Sequence, residues 1–294
     1  MKTIWSAANN KLSMVEMDGK KFINVNSSLG YPAYYPYYES SFEPKAKAVL
    51  IDLDGTSVKS EKFWMIMLTE AMKELSGNSK FEFSESDLPH IMGYSVSDHL
   101  TYCIEKYGLG QEISEARDVY KRIAYEELDE ITDGRGHIDA FKPAEGLDEF
   151  LIKLKENDIK IALVTGSQIR KAIPEMTAVF KQLNMGDPLK FYDSIIATGC
   201  DAGYGQIGTV VELGQKPHPW LYAEALRVGL KLPFSERHRV IGIEDSAAGI
   251  GALMAAGISA IGVTDGNIQK SGIEKMCIKM CDNLSDSLEI ILGC

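Results

Sequence analysis

The sequence is short of basic residues. Its 294 residues include 31 Lys and Arg against 42 Asp and Glu, a formal net charge of −11. An acidic surface repels a polyphosphate backbone, so no nucleic-acid partner is expected. Basic clusters of the kind that sit beside membranes are missing as well. No run approaches the roughly 18 apolar residues that a spanning helix requires, so no membrane partner is expected either. Residues 1–30 lack a basic start followed by an apolar core, and no secretory signal is expected. Cysteine is scarce: Cys103, Cys200, Cys277, Cys281 and Cys294, with no Cys-x-x-Cys pair among them. An odd number in a large chain argues against a disulfide scaffold and fits a reducing cytoplasm. Cys277 and Cys281 have no further ligand nearby and read as free thiols rather than a metal pair. Internal repeats and low-complexity tracts are absent.

Apolar residues make up 45% and charged residues 25%, the mixture of an ordinary globular protein. The length suits one large α/β domain or a core with a smaller insert. Residues 46–52 form the first strong strand. Its run Ala48-Val49-Leu50-Ile51 suits burial on both faces of a parallel sheet. Further β-branched runs follow at 159–164, 191–197, 239–243 and 258–263, with a weaker one at 277–280. Helical segments at 146–157, 219–229 and 246–256 lie between them. This alternation predicts an α/β fold with a doubly wound parallel sheet. Residues 60–142 interrupt it with three helical stretches, 61–75, 96–107 and 113–128, and no convincing strand. They read as a helical insert placed just after the first strand.

Residues 1–45 form an extension of different character. Asp18-Gly19 between two apolar stretches looks like a hairpin turn. In Tyr31-Pro32-Ala33-Tyr34-Tyr35-Pro36-Tyr37-Tyr38 the prolines exclude a helix. The tyrosines are read as packing the extension onto the core or the insert, because aromatic rings supply large burial.

Ligands of open α/β sheets sit beyond the carboxyl ends of the strands. There the first strand delivers Asp52 and Asp54, the second Thr165-Gly166-Ser167, and the fourth Glu244-Asp245. Lys216 stands in Lys216-Pro217-His218-Pro219 before a helix. Several carboxylates at one sheet edge repel each other unless a cation neutralises them, and hard oxygen donors suit Mg²⁺. Asp-x-Asp-Gly alone also fits a calcium loop or a turn, but Ser57-Val58-Lys59 stands where oxygen ligands should continue. Taken singly, Ser167 reads as a helix cap, Lys216 as a surface charge and Ser246 as the cap of a helix ending at Gly257. Their order on successive strand ends makes the set specific.

That set resembles the haloacid dehalogenase-like superfamily of phosphoryl-transfer hydrolases over about residues 46–265. Its four motifs stand as Asp52-Leu53-Asp54-Gly55-Thr56, Val164-Thr165-Gly166-Ser167, Lys216-Pro217-His218-Pro219 and Ile243-Glu244-Asp245-Ser246-Ala247-Ala248-Gly249-Ile250. The insert is similar to the cap of the subgroup holding phosphoglycolate phosphatase and β-phosphoglucomutase, with Ile91-Met92-Gly93-Tyr94-Ser95 like its Gly-x-Ser element. The resemblance implies a Rossmann-like core at 46–59 and 143–294 and a helical cap at 60–142. It further implies Asp52 as nucleophile and Asp54 as acid and base. Leu53, Thr165, Gly166, Ser167 and Lys216 would surround the phosphoryl group, with Thr165 and Lys216 also in catalysis. Mg²⁺ would be held by Asp52, the Asp54 backbone carbonyl and Asp245, with Glu244 in support. Family dehalogenases and phosphonate hydrolases lack the second carboxylate, so Asp54 points to phosphate-ester chemistry on a small phosphorylated metabolite. Mutases of the subgroup carry a His near Trp64 and an Arg near His90. Those departures favour a phosphatase over a phosphosugar mutase, and Asp54 speaks against a non-catalytic phosphate-binding module. Lys59 replaces an acid common among relatives. His218 is read as structural, and Trp64 as core or cleft. Substrate identity and oligomeric state are not encoded in these motifs.

Overall fold

The computed structural model describes residues 1–7, 11–26, 32–39, 41–87, 96–198 and 215–293. The extension folds into an antiparallel sheet of four strands in sequence order, β1 (Lys2–Ala7), β2 (Leu12–Met17), β3 (Lys20–Asn26) and β4 (Pro32–Pro36). Asp18 and Gly19 join β2 to β3 with φ of 51° and 73°, the double left-handed turn whose twist matches a hairpin. The tyrosine run, from which the prolines removed a helix, supplies β4. Its two prolines stand at the ends of an edge strand, where a missing N–H costs least.

The central sheet has six parallel strands: β5 (Ala48–Ile51), β8 (Lys160–Gln168), β9 (Ser194–Thr198), β10 (Val240–Glu244), β11 (Ser259–Val263) and β12 (Lys279–Cys281). Their spatial order is β12-β11-β10-β5-β8-β9, so β5 is central. Between β5 and β8 lies a two-stranded ribbon, β6 (Val58–Lys59) against β7 (Lys142–Pro143). It carries the chain into and out of three helices, Glu61–Ser76, Val96–Tyr107 and Ile113–Thr132. The expected strand at 191–197 begins later. Asp187 caps a short helix Pro188–Phe191 by accepting from the Leu189 N–H at 2.9 Å, which takes residue 191 out of the strand. The expected helix 219–229 is α-helical only over Trp220–Glu224 and continues as a π turn, Ala225–Gly229.

Strand periodicity divides the interior in two. Val49, Ile51, Ile161, Leu163, Ile241 and Ile243 face a cluster that continues into the cap through Phe63, Met67 and Leu128. Ala48, Leu50, Ala162, Val164 and Val240 face the other, which contains Ile250, Leu253 and Tyr222. The N-terminal sheet joins this second cluster with Leu12, Met14, Ile23 and Val25. It approaches the helix Ala247–Ala255 at Gly251, where a Cβ would lie 2.6 Å from the Leu12 side chain. Leu12 is itself buried in that cluster.

Ile23, wholly buried between the N-terminal sheet and the second cluster, tests whether the extension is energetically part of the core. Ile23→Ala should cost about 2–4 kcal/mol. Urea unfolding followed by fluorescence should show one cooperative transition at a lower midpoint. A separate early transition would mean that the extension unfolds by itself.

Candidate active site

After β9 the chain returns to place β10 beside β5, so β5 and β10 flank the switch point of the sheet, where ligands of such sheets bind. Asp52 follows β5 directly and is 6% exposed. Its N–H donates to the Ile243 carbonyl at 3.1 Å, and its carbonyl accepts from the Ser57 hydroxyl at 2.6 Å. Lys216 Nζ donates to Asp52 Oδ1 at 2.5 Å, to Glu244 Oε1 at 2.6 Å and to the Val164 carbonyl at 3.1 Å. Glu244 is wholly buried and saturated with donors. The Tyr222 hydroxyl reaches Oε1 at 2.6 Å, while the Ser246 N–H and hydroxyl reach Oε2 at 3.2 and 2.9 Å. Ser246 also caps the helix Ala247–Ala255, its Oγ accepting from the Gly249 N–H at 3.0 Å. Thr56 donates weakly to Asp245 at 3.4 Å. Gly55 passes so close to Asp245 that a Cβ would sit 2.3 Å from Oδ2, and its φ of +83° also favours glycine.

Asp54 faces another way. Its carboxylate accepts from the Ser167 hydroxyl at 2.7 Å and from Lys171 Nζ at 2.6 Å, and Lys171 also bonds Ser167 Oγ at 3.0 Å. Ser167 therefore does not cap the next helix: β8 runs on to Gln168, and Ile169–Gln182 starts without a side-chain cap bond. Thr165 is buried and its Oγ1 accepts from the Ser167 N–H at 3.0 Å. The Gly166 carbonyl accepts from the Thr198 hydroxyl at 2.6 Å. Leu53 is fully buried, and its carbonyl accepts from the N–H groups of Ser57 and Val58, both at 2.9 Å. The site thus has two neighbouring clusters, one of Asp52, Lys216, Glu244 and Asp245, the other of Asp54, Ser167 and Lys171.

Motif reading missed Lys171, Glu175 and Tyr222. Lys171 and Glu175 stand four apart, a spacing that puts both polar groups on one face of a helix and was the available signal. Lys171 lies 5.0 Å from the centre of the Trp64 ring, so Trp64 presents its face to this cluster while also packing on the cap core. Glu175 is wholly buried, and Lys171 stands 3.7 Å away. His218 is 2% exposed, with Nδ1 2.7 Å from the Tyr35 hydroxyl. Lys59 of the ribbon pairs with Asp265, which follows β11. His90 and the segment 91–95 lie outside the described residues. At the entrance to that segment, Asp87 accepts from the Ser84 N–H and from the hydroxyls of Tyr102 and Tyr107, at 2.7–2.9 Å. Cys103, Cys277 and Cys281 are free thiols. Among the described residues no helix is long and apolar enough to cross a membrane.

The two aspartates differ in environment. Burial pushes the Asp52 carboxyl well above the usual range; Lys216 opposes this, while Glu244 and Asp245 add to it. Burial and Glu244 likewise raise Asp245 to about 7. Burial acts upward on Asp54 too, but the Lys171 ammonium and the Ser167 hydroxyl bring it below the ordinary carboxylate range. Burial alone would discharge Lys216, yet Asp52 and Glu244 hold it charged. One ammonium faces three carboxylates, one oxygen from each lying within 4.8 Å of the others. The excess negative charge and the hard oxygen donors fit a divalent cation. The Asp54 carboxylate is not in that cluster.

The family model for haloacid dehalogenase-like hydrolases matches residues 46–257. Solved structures share the fold. A Thermotoga maritima protein provisionally assigned as a β-phosphoglucomutase is 19% identical, covers 84% of this chain and 99% of its own, and superposes with a TM-score of 0.60. For CbbY from Rhodobacter sphaeroides, in complex with phosphate, the identity is 18%, the shares are 82% and 96%, and the TM-score is 0.53. A predicted phosphoglycolate phosphatase from Haemophilus somnus is 18% identical over 86% of this chain and 99% of that one, with a TM-score of 0.57.

Burial raises the Glu175 carboxyl to about 8, against the partial relief given by Lys171. A folded state that keeps a proton which the unfolded chain has released loses stability as pH rises, here between about 4.5 and about 8. With Mg²⁺ held saturating, the urea midpoint should fall across that window. Glu175→Gln, which cannot ionise, should flatten the fall; parallel pH profiles for the two proteins would show that Glu175 titrates normally.

Proposed function

The chain belongs to the haloacid dehalogenase-like hydrolase family, and from that premise we propose that it is a Mg²⁺-dependent phosphatase of a small phosphorylated metabolite. A sugar or polyol phosphate is the favoured class. CbbY, which shares the fold, has been crystallised with xylulose-(1,5)bisphosphate, in keeping with that class. The observation that carries the reading is the pairing of a buried, ammonium-bound Asp52 with a second aspartate, Asp54, in a separate hydrogen-bonded setting.

In this reading Asp52 attacks phosphorus, the bond to the ester oxygen breaks, and an aspartyl-phosphate forms. Asp54 rests as a carboxylate between Lys171 and Ser167, so the proton it passes to the departing oxygen enters with the substrate, bound as its phosphate monoanion. Asp54 then takes a proton from the water that attacks the aspartyl-phosphate, releasing inorganic phosphate and freeing Asp52. Lys216, Thr165 and the Gly166 and Leu53 backbone N–H groups surround the transferring group, with Ser167 beside them. Glu244, held by Tyr222 and Ser246, keeps the Lys216 ammonium aimed at Asp52. Asp52, Asp245 and the Asp54 carbonyl would hold Mg²⁺, with Glu244 behind them. Once bound, its charge offsets the repulsion between phosphate and the Asp52 carboxylate and keeps Asp52 ionised. Lys171 helps hold Asp54. The cap excludes bulk water when it closes over the site.

Hydrolysis of p-nitrophenyl phosphate should need Mg²⁺ and should fall at least about 10³-fold in Asp52→Asn, given the loss of the nucleophile. Equal rates for the two proteins would remove Asp52 from the mechanism. Asp54→Asn should slow turnover by about 10²–10⁴-fold, the usual range for an acid–base group, and let phospho-enzyme accumulate. An unchanged rate would reassign the proton transfer. A screen of phosphorylated sugars and polyols, with and without added bisphosphate, separates the phosphatase from a mutase: activation by the bisphosphate and isomerised product would favour the mutase.

A further inference from the structure

The tyrosine-rich extension precedes the family match, which begins at residue 46, yet it touches the loop of Lys216 and the helix that follows Asp245. In β4, Tyr34 is 37% exposed while Tyr35 is half-buried and packs on the second core cluster opposite the enclosed Ile23. The Tyr35 hydroxyl lies 2.7 Å from His218 Nδ1. Its ring meets His218 edge-on with centroids 5.9 Å apart and Trp220 with centroids 6.0 Å apart. His218 in turn closes the loop, its N–H donating to the Gln215 carbonyl at 2.9 Å, and Lys216 stands inside that turn. On the other side, Leu12 of β2 packs against Gly251 in the helix that starts after Glu244-Asp245-Ser246.

We propose that the N-terminal sheet is a positioning element of the active site, in which the Tyr35 hydroxyl fixes His218 and thereby sets where the Lys216 ammonium stands between Asp52 and Glu244. A lysine side chain has several rotatable bonds and aims only as well as its loop is held. The Lys216 loop is held on its outer side by an imidazole that is 2% exposed and anchored to a strand almost two hundred residues earlier in the chain. Tyr35 and His218 are thus positioning residues. The inference rests on the reading of Lys216 as part of the catalytic machinery.

Tyr35→Phe keeps the ring and removes the hydroxyl, and Tyr34→Phe on the exposed face of the same strand is its control. With p-nitrophenyl phosphate and Mg²⁺, kcat of Tyr35→Phe should fall by about tenfold while KM stays within about twofold, because the Lys216 charge remains but its aim is lost. His218→Ala should show the same fall, and adding Tyr35→Phe to it should cost nothing more. His218→Asn, whose amide can replace Nδ1 as the partner, should recover most of the rate. Timed acylation of lysines, read peptide by peptide in a mass spectrometer, gives a readout without turnover. Lys216 should label at least about threefold faster in Tyr35→Phe, since its contacts with Asp52 and Glu244 are loosened. Unchanged kcat and unchanged Lys216 labelling would overturn the inference, as would an equal loss in Tyr34→Phe or a fall in rate explained by a lowered melting temperature. Full activity in Lys216→Met would instead defeat the catalytic reading of Lys216, and the labelling comparison would still decide whether Tyr35 positions it. Should Tyr35→Phe fail to fold, the His218→Asn and His218→Ala pair carries the same test.

Discussion

The ammonium of Lys216 lies between two buried carboxylates, those of Asp52 and Glu244, with its side chain only 10% exposed. Two such anions side by side in a dry interior repel each other and lose their hydration; a cation shared between them makes the arrangement tolerable. Three separate chain segments must meet to bring this about: the end of β5, the end of β10 and the loop before Trp220–Glu224. The third carboxylate, Asp245, receives a long bond from Thr56, and the remaining negative charge is what suits the place to a divalent cation.

Two aspartates with one residue between them are divided by their surroundings. Asp52 turns into the carboxylate cluster, where burial and like charges raise its pKa; Asp54 turns toward Lys171 and Ser167, which lower its own. By themselves these surroundings hold Asp52 back from ionising while Asp54 rests as a carboxylate, so the assigned parts require a cation beside Asp52 and a proton delivered to Asp54. Lys171 links this cluster to the cap through Trp64 and to the core through Glu175. A cap movement that carries Trp64 would be felt at Asp54.

The sheet has two covered faces, and different parts of the chain cover them. The cap shares one apolar cluster with the strands, and the N-terminal sheet shares the other with the helices Trp220–Glu224 and Ala247–Ala255. Those helices follow the Lys216 loop and Asp245. The extension therefore packs behind the helices that follow the Lys216 loop and Asp245, while the cap shares the cluster on the opposite face of the sheet.

Much of this was legible in the sequence because it is local. The run Ala48-Val49-Leu50-Ile51 specifies a strand buried on both sides, Asp18-Gly19 a tight hairpin, and the cap helices declare themselves by apolar residues at three- and four-residue spacing. The order of Asp52, Thr165 and Asp245 on strand ends, with Lys216 in a loop before a helix, announced a shared edge, since parallel strands deliver their carboxyl ends to one side. What no local pattern contains is which side chains meet once the segments converge. Ser167 turned from a presumed cap into a partner of Asp54, Tyr222 reached Glu244, and Tyr35 found His218 across 183 positions of chain. Such pairs form because separate sheets and helices bury their apolar faces against one another, and it is that burial, summed over the whole interior, that decides which polar tips are left facing each other.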